Sequence, residues 1–354
     1  MWPFNLETPD TPASSIAWES LVRRSLEAWH HPDQDLLIMA KKALQRSASL
    51  DDFLAGGSKP AIFWFFQRRE AFLSQARMRK WSRHRLDDYV LLPATDGFVK
   101  RTQCFFVSHF WQTREHPDPK GEYLRLHQRE LGIQDWSYIW TDWTCMPQEP
   151  RLNMEEVYFR ETLQTMSGII RNSGFAWFYP PFEARLWILY EVAEYVLSCT
   201  EGLLWTPDNE NFIRHVNEMF QVGVRSTLDR HGYRCTYERD REFLTSWLEV
   251  LVLLRSLKVD IDDVRMLLDN LTWQPMAKNI IRFTANGECV QLLRFEGKLI
   301  LDGEHHEFTP FPQWADGKYS TNHAPKPTAR LNITLGIGAL VVVALSIILY
   351  IFSG

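Results

Sequence analysis

An α/β fold, with a parallel sheet covered by helices, is predicted for the middle of this chain by three observations. Short apolar runs recur at residues 103–107, 136–143 and 175–179, with the texture of strands buried on both faces. Segments with apolar residues at helical spacing follow each of them. Strand–helix–strand–helix–strand–helix within about 100 residues then implies parallel pairing through right-handed crossovers.

Ahead of that block, residues 1–99 predict a helical N-terminal region. Ile16, Leu21 and Leu26, then Leu36, Leu37, Ala40 and Leu44, are helically spaced, and Pro32 stops the first helix. Residues 56–60 (Gly-Gly-Ser-Lys-Pro) are a break. Residues 61–85 predict a longer helix with an aromatic start (Phe63, Trp64, Phe65, Phe66) and a basic finish (Arg77, Arg79, Lys80, Arg83, Arg85). That finish reads either as a solvated helix face or as a contact for anionic lipid or a partner.

Within the α/β block, residues 103–107 are the first strand and residues 121–131 a helix carrying Leu124, Leu126 and Leu131. Residues 136–143 are the second strand. Asn153 with Glu156 at the third position has the form of a capping box. It opens a helix with Phe159, Leu163, Met166 and Ile170 on one face. Residues 175–179 are the third strand, stopped by Pro180 and Pro181, and residues 185–199 a helix burying Leu186, Leu189, Ala193 and Val196. Residues 201–320 predict an α+β accessory region. It has helices over 211–222 and 240–257 and two strands around Glu296-Gly-Lys298.

Residues 321–330 read as a Pro-containing tether and residues 331–352 as a single C-terminal transmembrane helix. The latter are 22 residues without a charge, enough at about 1.5 Å per residue to cross a hydrocarbon core of about 30 Å. His323, Lys326 and Arg330 lie before it and no basic residue lies after it. The positive-inside bias therefore predicts a tail-anchored, single-pass protein with its N-terminal body in the cytosol. Asn332-Ile-Thr334 has the form of a glycosylation acceptor but falls on the predicted cytosolic side. A net charge of −5 gives no basis for nucleic-acid binding. The 5 cysteines, with no C-x-x-C pair, fit reduced thiols.

Two segments are distinctive: Phe106-Val-Ser-His-Phe-Trp111 and Tyr138-Ile-Trp-Thr-Asp-Trp-Thr-Cys-Met-Pro-Gln148. The first resembles the "(L/V)S-aromatic-x-W" opening of the fungal heterokaryon-incompatibility (HET) domain. The second is similar to its "W-I-D-x-x-C-I-N-Q" signature at Trp140, Asp142, Cys145 and Gln148, with Thr141 and Pro147 in place of the usual Ile and Asn. Glu155, Glu156 and Met166 fit the glutamate-led helix that follows in that family. Arg185, Trp187 and Glu191 resemble the last helix of Toll/interleukin-receptor (TIR) domains. The resemblance covers roughly residues 100–200. It implies a flavodoxin-like sheet and a signalling or interaction role, in self/non-self recognition or regulated cell death, with self-association or protein partners. Some TIR domains cleave NAD with a glutamate late in the helix before the fourth strand. Ile169 or Ile170 stands at that position here, so hydrolysis by that route is not expected.

Ser108 and His109 follow the first strand, and Asp142 and Cys145 follow the second. The carboxyl ends of strands face the ligand crevice in open α/β sheets. Three readings are open. His109, Asp142 and Cys145 would form a thiol nucleophile with a base and an orienting acid, with Glu191 a further catalytic candidate. Alternatively, Ser108, His109, Trp111 and Asp142 would bind NAD, another nucleotide or a sugar phosphate. In the third, Asp142 braces its loop, Cys145 packs as a small apolar group and Ser108 bonds to backbone. Trp111, Trp140, Trp143 and Trp177 either stack on a base or form core and rim. His231 with Cys235, and His305-His306, lack two further spaced ligands, so no metal is expected. No glycine-rich phosphate loop, G-x-S-x-G or H-E-x-x-H is present. The chain thus reads as a signalling or interaction protein, an enzyme acting on a nucleotide, or a non-catalytic scaffold.

Overall fold

The computed structural model describes residues 12–320, apart from short breaks at 58–61, 180, 201–202, 204–205, 274–278, 286 and 316–317. The chain opens with helices α1 (Pro12–Ala28) and α2 (Gln34–Gln45), a short helix α3 (Leu50–Asp52) and a π turn over Phe53–Gly57. Asp33 caps α2, its carboxylate accepting from the Asp35 and Leu36 N–H groups. Strand β1 (Phe63–Arg68) follows, then α4 (Arg69–Leu73) and β2 (Tyr89–Pro93). The block from β3 (Cys104–His109) runs through α5 (Glu122–Gly132), β4 (Tyr138–Trp140), α6 (Asp142–Cys145), α7 (Asn153–Leu163), α8 (Met166–Asn172), β5 (Gly174–Phe178) and α9 (Leu186–Ser198). Helices α10 (Glu210–Val222), α11 (Val224–Arg230), α12 (Glu238–Ser256) and α13 (Ile261–Trp273) come next. Strands β6 (Ile280–Ala285), β7 (Glu288–Leu293), β8 (Lys298–Leu301) and β9 (Glu304–Glu307) form an antiparallel sheet in chain order, followed by the hairpin β10 (Gln313–Ala315) and β11 (Lys318–Ser320).

The main sheet has five strands in the order β2-β1-β4-β3-β5. Strands β4, β3 and β5 are mutually parallel, with Phe106 opposite both Trp140 and Phe175. Strand β1 is antiparallel to β2 and to β4. The expected all-parallel, flavodoxin-like sheet is therefore corrected to a mixed one. The expected helical region over residues 1–99 is corrected with it, because residues 61–85 contribute β1 rather than a long helix. The physical reason lies in Phe63-Trp-Phe-Phe66. Every side chain from Phe63 to Gln67 is buried, as a central strand requires, and aromatic residues favour that setting. Such a run has no period that separates strand from buried helix.

Among the described residues no helix is long and apolar enough to cross a membrane. The expected single-pass, tail-anchored topology and its cytosolic orientation are corrected accordingly, since no spanning helix belongs to the described fold. Residues 331–352 and the tether before them lie outside the described residues.

Side chains alternate between two cores across the sheet. On one face, Phe106, Trp140 and Phe175 join the large core with Ile169, Ile170, Leu186 and Leu189. On the other, Val107 and Ile139 meet Tyr123, Leu124 and Leu131 of α5 in a smaller core. Trp140 stacks on Phe106 at 4.8 Å between ring centroids and meets Trp64 edge-on at 5.4 Å. Helix α1 covers β2: Ser25 Oγ accepts from Leu91 N–H at 2.8 Å and Trp29 Nε1 donates to Leu91 O at 2.7 Å. Those bonds occupy backbone groups that an edge strand otherwise exposes. Behind the large core, the fully buried Arg171 of α8 pairs with Glu194 of α9 at 3.3 Å and with Asp269 of α13. Trp247 Nε1 of α12 donates to the second Glu194 oxygen at 2.6 Å.

Candidate functional site

The carboxyl ends of β3 and β4 lie side by side because the two strands are parallel neighbours. Adjacent residues of a strand face opposite ways, so Ser108 and His109 at the end of β3 serve different sides of the sheet. Ser108 is buried and its hydroxyl donates to the Glu191 carboxyl on α9. His109 faces α5, with its ring 5.5 Å from that of Tyr123.

Glu191 stands on the buried stripe of α9 with Leu186, Leu189 and Tyr190. Burial raises its pKa to about 8, with the Ser108 hydrogen bond opposing and the Asp142 charge adding to the rise. It is therefore a protonated acid at neutral pH. Tyr179, immediately after β5, is fully buried, and its phenol pKa is pushed far up by burial and by Glu191.

Asp142 opens the short helix α6 directly after β4. Its side chain is 40% exposed, which makes it the outward group of the cluster. Trp111 Nε1 donates to its Oδ2 at 2.7 Å and the Trp143 N–H to its Oδ1 at 2.6 Å. Gln148 Nε2 donates to its backbone carbonyl at 2.7 Å and to Met146 O at 3.1 Å. Trp111, 31 residues before Asp142, thus joins Asp142 and Gln148 in one network that closes the loop over the strand ends.

His109 Nε2 lies 3.6 Å from Asp142 Oδ1, beyond hydrogen-bond reach. Neither His109 ring nitrogen has a partner among the described residues. Burial lowers its pKa, with Asp142 and Asp118 opposing, so the ring is neutral. Behind it, His127 on the buried stripe of α5 is lowered to about 3 by burial and then by His109. Its Nε2 also has no partner among the described residues.

The structure brings Ser108, His109, Trp111, Asp142 and Glu191 to one end of the sheet but leaves Cys145 out. The Cys145 thiol is fully buried in the large core and donates to Ile139 O at 3.6 Å. Burial raises its pKa to about 11. A thiol in that state is not a nucleophile, which leaves the packing reading of Cys145. Trp140 belongs wholly to the core.

His127, Tyr123 and Tyr179 were not among the residues expected at the site. His127 was legible in principle, because it shares the apolar face of α5 with Tyr123, Leu124 and Leu131. Asp118, in the turn His116-Pro-Asp-Pro119, is structural: its carboxylate accepts from the Leu124 N–H at 2.9 Å in the first turn of α5. Comparison with known proteins returned nothing: no family model, no curated protein and no solved structure matches the chain.

Proposed function

We propose that the cluster at the carboxyl ends of β3 and β4 takes a nucleotide and acts on its base–sugar bond, with Glu191 as the acid. The observation that carries this reading is the buried Glu191 carboxyl, held protonated to about pH 8 and hydrogen-bonded by Ser108. An acid poised near neutral pH is matched to giving up a proton in the transition state. Asp142 is the exposed partner carboxylate whose charge Glu191 feels. Two carboxyls in environments that separate their roles are what glycosidic-bond cleavage uses. Glu191 donates its proton to the departing base, and Asp142 faces the positive charge that develops at the sugar carbon or orients the attacking water. Trp111, at the rim of the same cluster, offers a ring face to the base.

This chemistry sits within the wider reading of a signalling or interaction protein, which rests on the HET-like residues Trp140, Asp142, Cys145 and Gln148. It does not use the TIR route: Ile169 and Ile170 are fully buried apolar residues of α8. A second reading, a module that holds a nucleotide without cleaving it, is favoured by one observation. Both Asp142 carboxylate oxygens already accept hydrogen bonds from Trp111 and Trp143.

The test incubates the full chain with NAD and with common nucleosides and nucleotides, and follows free base by chromatography. Base release that falls as pH rises through about 8, and drops by about 10²–10⁴ in Glu191→Gln, is the expected result. Binding without release favours the second reading. Neither binding nor release overturns both.

A further inference from the structure

We propose that His215, Glu218 and His231 form a binding site for one divalent transition-metal ion of the zinc class. Helix α10 places His215 and Glu218 three residues apart, on one face. His231 caps the end of α11 and turns back toward them. One ligand atom from each residue lies within 4.8 Å of the others.

His215 and His231 stack with ring centroids 3.6 Å apart and planes at 20°, so one ring must rotate before both lone pairs meet at one ion, and His215 is the ring already held in place. His215 is buried, and its Nδ1 lies 2.8 Å from the Tyr233 hydroxyl oxygen. Its Nε2 is buried without a hydrogen-bond partner among the described residues. With the proton on Nδ1 donated to Tyr233, the Nε2 lone pair is free to coordinate. That is the supporting bond which metal-binding imidazoles make through their second nitrogen. Glu218 Oε2 lies 2.7 Å from His231 Nε2. Its other oxygen accepts from Arg230 at 2.6 Å, which leaves Oε2 as a single ligand atom.

Two imidazoles and one carboxylate are a donor set for zinc, with a fourth position open to water. With bonds of about 2.0 Å, ligand atoms around a tetrahedral ion stand about 3.3 Å apart. The spread of 4.8 Å therefore contracts on binding, a shift that side-chain rotation supplies. A plain His231–Glu218 ion pair joining α10 to α11 accounts for the 2.7 Å contact. It does not account for a buried His215 Nε2 with no partner beside it.

The sequence pattern of this site is not a standard spaced motif. His215 and Glu218 are separated by one helical turn, and the third ligand comes from the end of the next helix.

The experiment strips the full chain with a chelator, titrates Zn²⁺ by calorimetry, and records the visible spectrum with Co²⁺. One equivalent of Zn²⁺ and the absorption bands of four-coordinate Co²⁺ are expected. His231→Gln and Glu218→Gln, both partly exposed positions that tolerate change, should each weaken binding by more than about 100-fold, beyond what loss of a supporting group causes. His215→Asn should do the same if its circular dichroism is unchanged. The absence of a stoichiometric Zn²⁺ event overturns the proposal. So does Zn²⁺ binding that His231→Gln and Glu218→Gln leave unaltered, which would place the ion on other histidines such as His305 and His306.

Discussion

Glu191 carries its proton into a setting that penalises the ionised form, and that has a thermodynamic cost. Between its ordinary pKa near 4.5 and its folded value of about 8, the folded state holds a proton that the unfolded state has lost. Stability therefore falls as pH rises through that window and is flat above it. Glu191→Gln removes the titration while keeping the shape. Its unfolding free energy from urea melts should exceed that of the wild type at pH 8 by an amount on the order of a few kcal/mol, and the gap should close towards pH 5. A gap that widens towards low pH would contradict the raised carboxyl. Trp140 makes a different kind of contribution: it is a 1% exposed ring stacked on Phe106 and meeting Trp64. Trp140→Ala should cost about 3–5 kcal/mol in denaturant melts, whereas Asp142→Asn, at a half-exposed position, should cost far less.

Helix α8 approaches the end of β2 so closely that Gly168 has no room for a side chain. A Cβ there would collide with the Ala94 carbonyl and stand 3.0 Å from Thr272 Cγ2. Gly168→Ala gains helix propensity but forces backbone apart, so it should destabilise by about 1–3 kcal/mol; a more stable variant would show that the packing is loose. Neither this contact nor the antiparallel insertion of β1 was legible in the sequence. Elements whose pattern is their own were legible: α1 and α2 by spacing, β3 and β5 by apolar runs ended by turns, α9 by its buried stripe. The capping box expected at Asn153 does not form: the cap position is Leu152, whose side chain makes no capping bond, and only the reciprocal bond from Leu152 N–H to Glu155 Oε2 at 3.0 Å is present. The site was half legible for the same reason. Ser108, His109 and Asp142 follow strands and so fall at their carboxyl ends, but the side of the sheet each faces depends on strand register. The Ser108–Glu191 bond joins residues 83 apart. The sequence left Cys145 open between nucleophile and packing group, because spacing carries no information about burial.

At the scale of the whole molecule, one buried charge cluster binds the α/β block to the helices after it. Arg171 meets Glu194 and Asp269, and Trp247 completes Glu194, so α8, α9, α12 and α13 share a single set of bonds. Removing one member of such a set strands the rest. Arg171→Ala should cost about 3–5 kcal/mol, whereas Arg171→Met combined with Glu194→Gln should recover part of the loss. Equal costs for the single and double variants would show that the charges are not coupled. The helices after residue 210 are on this account part of the fold rather than an attachment to it. The placing of β1 has a consequence for synthesis. Its partner β4 begins 70 residues after β1 ends, since Arg68 pairs with Tyr138. At about 5–20 residues per second, a ribosome needs roughly 4–14 s to deliver that partner. During those seconds Phe63-Trp-Phe-Phe66 has β2 on one side and open backbone on the other. A nascent chain stalled before Tyr138 should therefore recruit holding chaperones, and one stalled far enough past Phe178 for all five strands to have left the exit tunnel should release them.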